Sequence, residues 1–161
     1  MKDMLVRLLY LPKIDKLENS FYENGIVIKR PIAPEKSIVS DWVLKNFSKN
    51  WADEVSTAFN TLPVNCFIAQ KDQQILGFAC FECTYKNFFG PSGVLKDYRG
   101  KQLGKILLIK SLEALREMGY AYAIIGGVGP EAYYTKTVNA TTISNSKKSI
   151  YQDLLKTSHD E

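Results

Sequence analysis

The run Tyr98-Arg99-Gly100-Lys101-Gln102-Leu103-Gly104-Lys105-Ile106-Leu107-Leu108 places two glycines and three cationic side chains where an apolar strand gives way to an amphipathic helix. Glycine permits a tight turn and leaves the neighbouring amides uncovered. The first amides of a helix have no intrahelical partner and lie at the positive end of its dipole. Strand, turn and helix together therefore make a pocket for phosphate. Lys96 and Lys110 add positive charge to this stretch, against Asp97 alone. Charge this local, in a chain of formal net charge +4, suits a small polyanion better than a nucleic acid. The plainer alternative is a charged glycine turn that only punctuates the chain before a helix.

Two other phosphate signatures fail on inspection. Gly100 to Ile106 is one residue too short for a P-loop and lacks the Ser/Thr that would hold magnesium. Gly127-Val128-Gly129-Pro130-Glu131-Ala132 fits G-x-G-x-x-A but stands too near the C-terminus for a dinucleotide domain, and Pro130 removes an amide the phosphate needs. Metal and triad chemistry lack their residues, since His159 is the one histidine and sits in a polar tail. Cys80 and Cys83 form a C-x-x-C in a strand-like run, where residues three apart face opposite ways. With Cys66 they read as buried small hydrophobes. Glu82 alternates with Phe78 and Cys80, so its carboxylate either faces a cleft, as a candidate general base, or is a solvated strand-end group.

These residues need a scaffold, and the apolar periodicity outlines one. Met4 to Leu11 reads as a strand, interrupted by Arg7 and lacking the cleavage site of a signal peptide. Asn24-Gly25 is a turn before the β-branched run Ile26 to Arg30. Ile38, Val39, Trp42, Val43 and Phe47 recur at helical spacing after Pro34. A second helix starts with Asn50 as N-cap, buries Trp51, Val55, Ala58, Phe59 and Leu62, and ends at Pro63. Cys66 to Ala69 and Ile75 to Phe81 form a hairpin across the polar Lys71 to Gln74. Ser92 to Leu95 is a strand leading into the glycine turn. The following helix gathers Leu103, Leu107, Leu108, Leu112, Ala114, Leu115 and Met118 on one side, and Gly119 caps it. Ala121 to Ile125 is a buried strand, Glu131 to Val138 a short helix, and Thr141 to Ser144 with Ser149 to Leu154 a closing strand pair. The expected fold is α+β: a mixed, largely antiparallel twisted sheet flanked by helices, its start antiparallel and its end parallel. We expect one domain over residues 1–161, with residues 1–24 an N-terminal extension that carries an extra strand.

This layout resembles the GNAT superfamily of acetyl-CoA-dependent N-acetyltransferases over roughly residues 25–155. The family motif Arg/Gln-x-x-Gly-x-Gly/Ala is met by Arg99 to Gly104, with Gln102 where the first glycine usually stands. Gly90-Pro91-Ser92-Gly93-Val94-Leu95 resembles the splayed fourth core strand, whose exposed backbone pairs with pantetheine and polarises the thioester carbonyl. Tyr133-Tyr134-Thr135-Lys136 resembles the Phe-Tyr-x-Lys segment, whose second aromatic protonates the leaving thiolate. Asn139-Ala140 departs from the usual Gly-Phe, and Gly127 stands where many members carry an asparagine. The resemblance implies acetyl-CoA as cosubstrate, with no metal. It implies cofactor contacts from Val94, Leu95, Arg99, Gly100, Lys101, Gln102, Leu103, Gly104 and Lys105. Tyr134 is the implied proton donor, unless it is only a half-buried aromatic. The amine's proton then leaves through Glu82, through ordered water or into bulk solvent. The acceptor implied is a primary amine of a small molecule or peptide. Trp42, Trp51, Tyr85, Phe88 and Phe89 suit an amine on a partly apolar or aromatic body, though core packing accounts for the tryptophans equally well. A non-catalytic acyl-CoA-binding or partner-binding module stands as the alternative, on the departures at Gln102, Gly127 and Asn139. A small nucleotide-binding protein is a third reading.

A chain of 161 residues with 45% hydrophobic and 24% charged content can bury a sizeable core. No apolar run is long enough to span a bilayer. Three cysteines are an odd, small set that suits a reducing cytoplasm. The expectation is a cytoplasmic monomer or homodimer with no nucleic-acid or membrane partner.

Overall fold

The computed structural model of the chain describes residues 1–158, so the tail histidine His159 lies outside the described residues. The elements run β1 (Lys2–Arg7), α1 (Asp15–Glu23), β2 (Val27–Lys29), α2 (Lys36–Asn46), α3 (Lys49–Ala58), β3 (Cys66–Lys71) and β4 (Gln74–Phe81). They continue through β5 (Phe88–Val94), α4 (Leu103–Glu117), β6 (Tyr122–Val128), α5 (Glu131–Val138) and β7 (Thr141–Thr142). All strands join one sheet in the order β2-β3-β4-β5-β6-β1-β7. Every adjacent pair is antiparallel except β5 and β6, which run parallel. The expected mixed, largely antiparallel sheet is therefore the one formed.

Each sheet face has its own core, because successive residues of a strand point opposite ways. Phe67, Ala69, Ala79, Phe81, Phe89, Ala123 and Ile125 pack with Leu103, Ile106, Leu107 and Leu115 of α4. Cys66, Ile68, Phe78 and Cys80 face the other way, onto Val39 and Val43 of α2 and Val55 of α3. Four rings, Trp42, Phe47, Trp51 and Phe78, meet there at centroid distances between 5.3 and 6.2 Å. The three cysteines are free and buried in this second core, with the Cys80 thiol pushed up by burial first and then by Cys66 and Cys83.

Local signals behave as their chemistry requires. The β3–β4 hairpin turns on Asp72 and Gln73, both at positive φ (49° and 62°), between the paired Lys71 and Gln74. Such a two-residue turn matches the strand twist. Gly119, at φ 102°, ends α4 with its amide on the Arg116 carbonyl at 2.9 Å. Several expectations change. Leu62 lies beyond the end of α3 at Ala58 and is 89% exposed rather than buried, and the first strand stops at Arg7. The α3 cap is Ser48, whose hydroxyl accepts from the Trp51 amide at 3.2 Å, two residues ahead of what Asn50 predicts. Met118 is 49% exposed rather than on the buried side of its helix. The unforeseen helix α1 fills part of the N-terminal extension. Of the closing strand pair only Thr141–Thr142 forms, on the edge of β1, because Asn145, Ser149 and Asp153 adopt left-handed backbone that breaks any extended run. Among the described residues no helix is long and apolar enough to cross a membrane.

Candidate active site

Strands β5 and β6 pair only at Phe88 with Ile124 and Phe89 with Ile125. Beyond that point Gly90 (φ 118°) and Gly127 (φ 60°) turn the two chains along different paths. The parallel pair splays open toward its C-terminal end. On its other edge β5 stays paired with β4, and the Leu95 amide donates to the Leu76 carbonyl at 2.9 Å. Hydrogen-bonded and non-hydrogen-bonded positions alternate in an antiparallel ladder. Val94 and Ser92 thus aim their backbone groups into the gap, whereas Leu95 does not. Of the two amides expected to meet a thioester carbonyl, Val94's is the one presented.

At the open end of the gap the chain rises through a short 3-10 turn, Lys96–Tyr98, into α4. Gly100 (φ 75°) and Gln102 (φ 65°) both adopt left-handed backbone. Gln102 is the residue before the helix, and its side chain makes no capping hydrogen bond. The departure from glycine at this position leaves an exposed side chain and an amide free to face a ligand. The first helical amide to reach a backbone carbonyl is that of Ile106, on Gln102 at 3.2 Å. Among the described residues none of Lys96, Arg99, Lys101 and Lys105 forms an ion pair. The Arg99 Nε donates to the Val94 carbonyl at 3.1 Å and ties the loop to the strand end, while the Lys101 ammonium lies 5.2 Å from the Tyr98 ring centre. Lys110 drops out of this patch, because its ammonium is held by Glu18 of α1 at 2.7 Å.

The third wall is α5. A Cβ placed on Gly104 would lie 3.8 Å from both the Tyr133 hydroxyl and Val94, so α4, α5 and β5 converge on that glycine. Tyr134 packs half-buried beside Tyr133, with ring centres 5.1 Å apart, and against the core of the α4 face. Burial first, and Tyr133 second, push its phenol up to about 12. Burial also raises Tyr133. The residues present suit an elongated ligand with phosphate at one end, on Gly100 to Lys105, and amide groups along the Val94 backbone.

Glu82 stands apart from this assembly. It follows β4 at φ 50°, and its side chain is 5% exposed, so it is not a solvated strand-end group. The Tyr120 hydroxyl and the Lys86 ammonium both hold its Oε1 at 2.9 Å, and its Oε2 is buried without a partner. Tyr120 follows the C-terminal end of α4, whose 15 residues span about 22 Å from the phosphate loop. Gly127, by contrast, sits at the gap, but its amide donates to Asp3 Oδ1 at 2.9 Å. Asp3 and Tyr133 belong to the site's frame without any sequence signal of their own, beyond Tyr133's place next to Tyr134.

A model of the Acetyltransferase (GNAT) family matches residues 37–133, more than half of the chain and the whole span from α2 through the glycine turn to α5. The chain belongs to the GNAT acetyltransferase family. Solved structures agree on the fold. The GCN5-related glucosamine N-acetyltransferase region of a fungal multi-domain GH3 β-N-acetylglucosaminidase is 14% identical, with a TM-score of 0.71, over 88% of this chain and 19% of that one. A GCN5-related N-acetyltransferase from Sphaerobacter thermophilus is 15% identical, with a TM-score of 0.68, over 88% of this chain and 48% of that one. A GNAT family acetyltransferase from Brucella melitensis, solved with acetyl-CoA, is 18% identical, with a TM-score of 0.55, over 73% and 86%. The chain thus spans less than half the length of the first two of these proteins. No curated protein matches the chain.

Proposed function

We propose that the chain moves an acetyl group from acetyl-CoA to a primary amine of a small molecule or peptide by direct attack. The observation that carries this reading is the splay of β5 from β6, with the Val94 backbone facing the gap beside the uncapped start of α4. Acetyl-CoA supplies an activated acyl group on a thioester. The amides from Gly100 to Lys105, with Arg99, Lys101 and Lys105, hold its phosphates and so supply position without touching the reacting bond. The Val94 amide donates to the carbonyl oxygen as charge develops there. As the amine nitrogen bonds the acetyl carbon and the C–S bond breaks, Tyr134 gives its proton to the departing sulfur; the proton shed by the nitrogen goes to solvent, from which the phenol regains one. With its phenol near 12 and a thiol near ~8.5, that transfer is uphill, so it serves as assistance and not as the main driving force.

Thermal unfolding with and without acetyl-CoA tests the cofactor. Ligand at about a hundred times its dissociation constant adds ~2.7 kcal/mol, a rise in Tm on the order of 5–10 °C for a domain of this size. No rise at millimolar acetyl-CoA overturns the proposal, as does equal protection by ATP or NAD. CoA release assayed across polyamines, aminoglycosides, amino acids and peptides then tests transfer. Tight acetyl-CoA binding with no turnover across that panel identifies a binding module instead.

A further inference from the structure

Glu54 of α3 is a half-buried carboxylate held by two hydroxyls and, among the described residues, by no cation. Thr84, in the β4–β5 connection, donates to its Oε1 at 2.7 Å. The Tyr151 hydroxyl donates to the same oxygen at 3.0 Å across 97 residues of chain. The Tyr151 ring meanwhile packs on Gly127, where an added Cβ would lie 3.3 Å from it. Gly127 belongs to β6 and Glu54 to the helix pair above β4 and β5, so Tyr151 stretches across the open gap on the α3 face. Next to it, the Cys83 thiol donates to the Gly90 carbonyl at 3.3 Å, where β5 begins to diverge. The side of the gap opposite the phosphate loop is thus closed by one phenol resting on one carboxylate.

We infer that Glu54 is the recognition site for the acceptor's ammonium group, and that the Tyr151 hydroxyl holds the place which that ammonium takes. The inference rests on the transferase reading and names the charge of the substrate it uses. A half-buried carboxyl group that meets only neutral hydroxyl donors has no cation beside it, and geometry leaves that role to a ligand. An ammonium brings three N–H donors and the missing charge, and its hydrogen bond to a carboxylate is stronger than a phenol's. A neutral alcohol brings neither advantage. The stem of Tyr151 is tied down separately, because Ser146 and Ser149 bond to Asp3 of β1, so only the end of the segment need move.

Calorimetric titration of the full chain with n-butylamine, putrescine and spermidine, all cationic at neutral pH, against neutral 1,4-butanediol tests the inference. Wild type binds the ammonium ions and not the diol. Glu54→Gln weakens them by about tenfold or more, the usual worth of a hydrogen bond to a charged group. Tyr151→Phe, which keeps the ring and removes only the competing hydroxyl, tightens them severalfold. Any of four results overturns the inference: no ammonium binding by wild type, equal binding of the diol, unchanged affinity in Glu54→Gln, or weaker binding in Tyr151→Phe. Acetyl-CoA-dependent melting of the same proteins keeps the two readings distinct. Its absence in wild type removes the transferase and leaves ammonium recognition standing, and its persistence beside lost ammonium recognition does the reverse.

Discussion

A methyl group added at Gly104 separates what the fold needs from what the ligand needs. The new Cβ would meet its neighbours at 3.8 Å, an ordinary contact, and Gly104 does not use left-handed backbone. Alanine also favours helix over glycine by up to about 1 kcal/mol. Gly104→Ala is therefore expected to melt at or slightly above the wild-type temperature while binding acetyl-CoA about tenfold more weakly, and Gly104→Val to lose the ligand-dependent shift altogether. An alanine variant that binds as well as wild type would show that phosphate does not approach this glycine. Tyr134 makes the second residue-scale prediction. Tyr134→Phe should lower kcat by ~10², the low end for general acid assistance, with acetyl-CoA affinity unchanged. A proton donor must be protonated, and burial that raises Tyr134 to about 12 keeps it so. The kcat profile should show no descending limb from this residue between about pH 7 and 10. A limb in that window that disappears in the phenylalanine variant would assign the raised phenol wrongly. The same upward shift makes the folded chain hold its phenolic proton longer than the unfolded one. Its share of stability is complete below about pH 10 and falls away as pH rises toward 12.

Among the elements, the pairing of β5 with the α2–α3 layer is the tightest constraint near the gap. A Cβ at Gly93 would lie 2.4 Å from the Phe47 ring, which is itself packed against Trp42, Trp51 and Phe78. Gly93→Ala should cost ~1–3 kcal/mol through overpacking, read as a lower urea midpoint, and Phe47→Leu in the same chain should recover part of it. An unchanged midpoint would mean the ring cluster yields freely. Such a contact between a strand glycine and a helix-end ring 46 positions away is invisible to periodicity. What periodicity does reveal is contiguous: the hairpin around Asp72-Gln73, the apolar stripe of α4 and its stop at Gly119, and the short α5. The phosphate loop is legible for the same reason, since its amides and cations lie within seven consecutive residues, Arg99 to Lys105. Glu54, Thr84 and Tyr151 are not, because 30 and 97 residues separate the partners. The tail fails differently. Ser149 to Leu154 reads as a strand, yet left-handed backbone at Ser149 and Asp153 lets it fold back toward Glu54.

For the molecule as a whole, both ends of the chain meet at one buried side chain. Asp3 is 8% exposed, and its Oδ1 accepts from the Gly127 amide at 2.9 Å and from the Ser149 hydroxyl. Its own amide donates to Ser146, and its carbonyl accepts from Ile143. A single carboxylate therefore joins β1 to the bend of β6 beside the gap and fastens the segment that carries Tyr151. Asp3→Ala leaves a part-buried N–H on Gly127 without its acceptor, which costs ~1–3 kcal/mol. At roughly 2–4 °C per kcal/mol for a domain of this size, Tm should fall by several degrees. A merely local loss would end there. If Asp3 also fastens the tail, the exposed Lys147 and Lys148 should become faster sites of tryptic cleavage, while cleavage within the sheet stays slow. Asp3→Asn, which retains an oxygen acceptor, should fall between wild type and alanine in both measurements. The expected pattern is a lower Tm together with faster release of the C-terminal peptide. A lower Tm with tail cleavage at the wild-type rate would show that the Asp3 carboxylate does not fasten the segment, which its main-chain bonds to Ser146 and Ile143 and the Tyr151–Glu54 contact then hold without it.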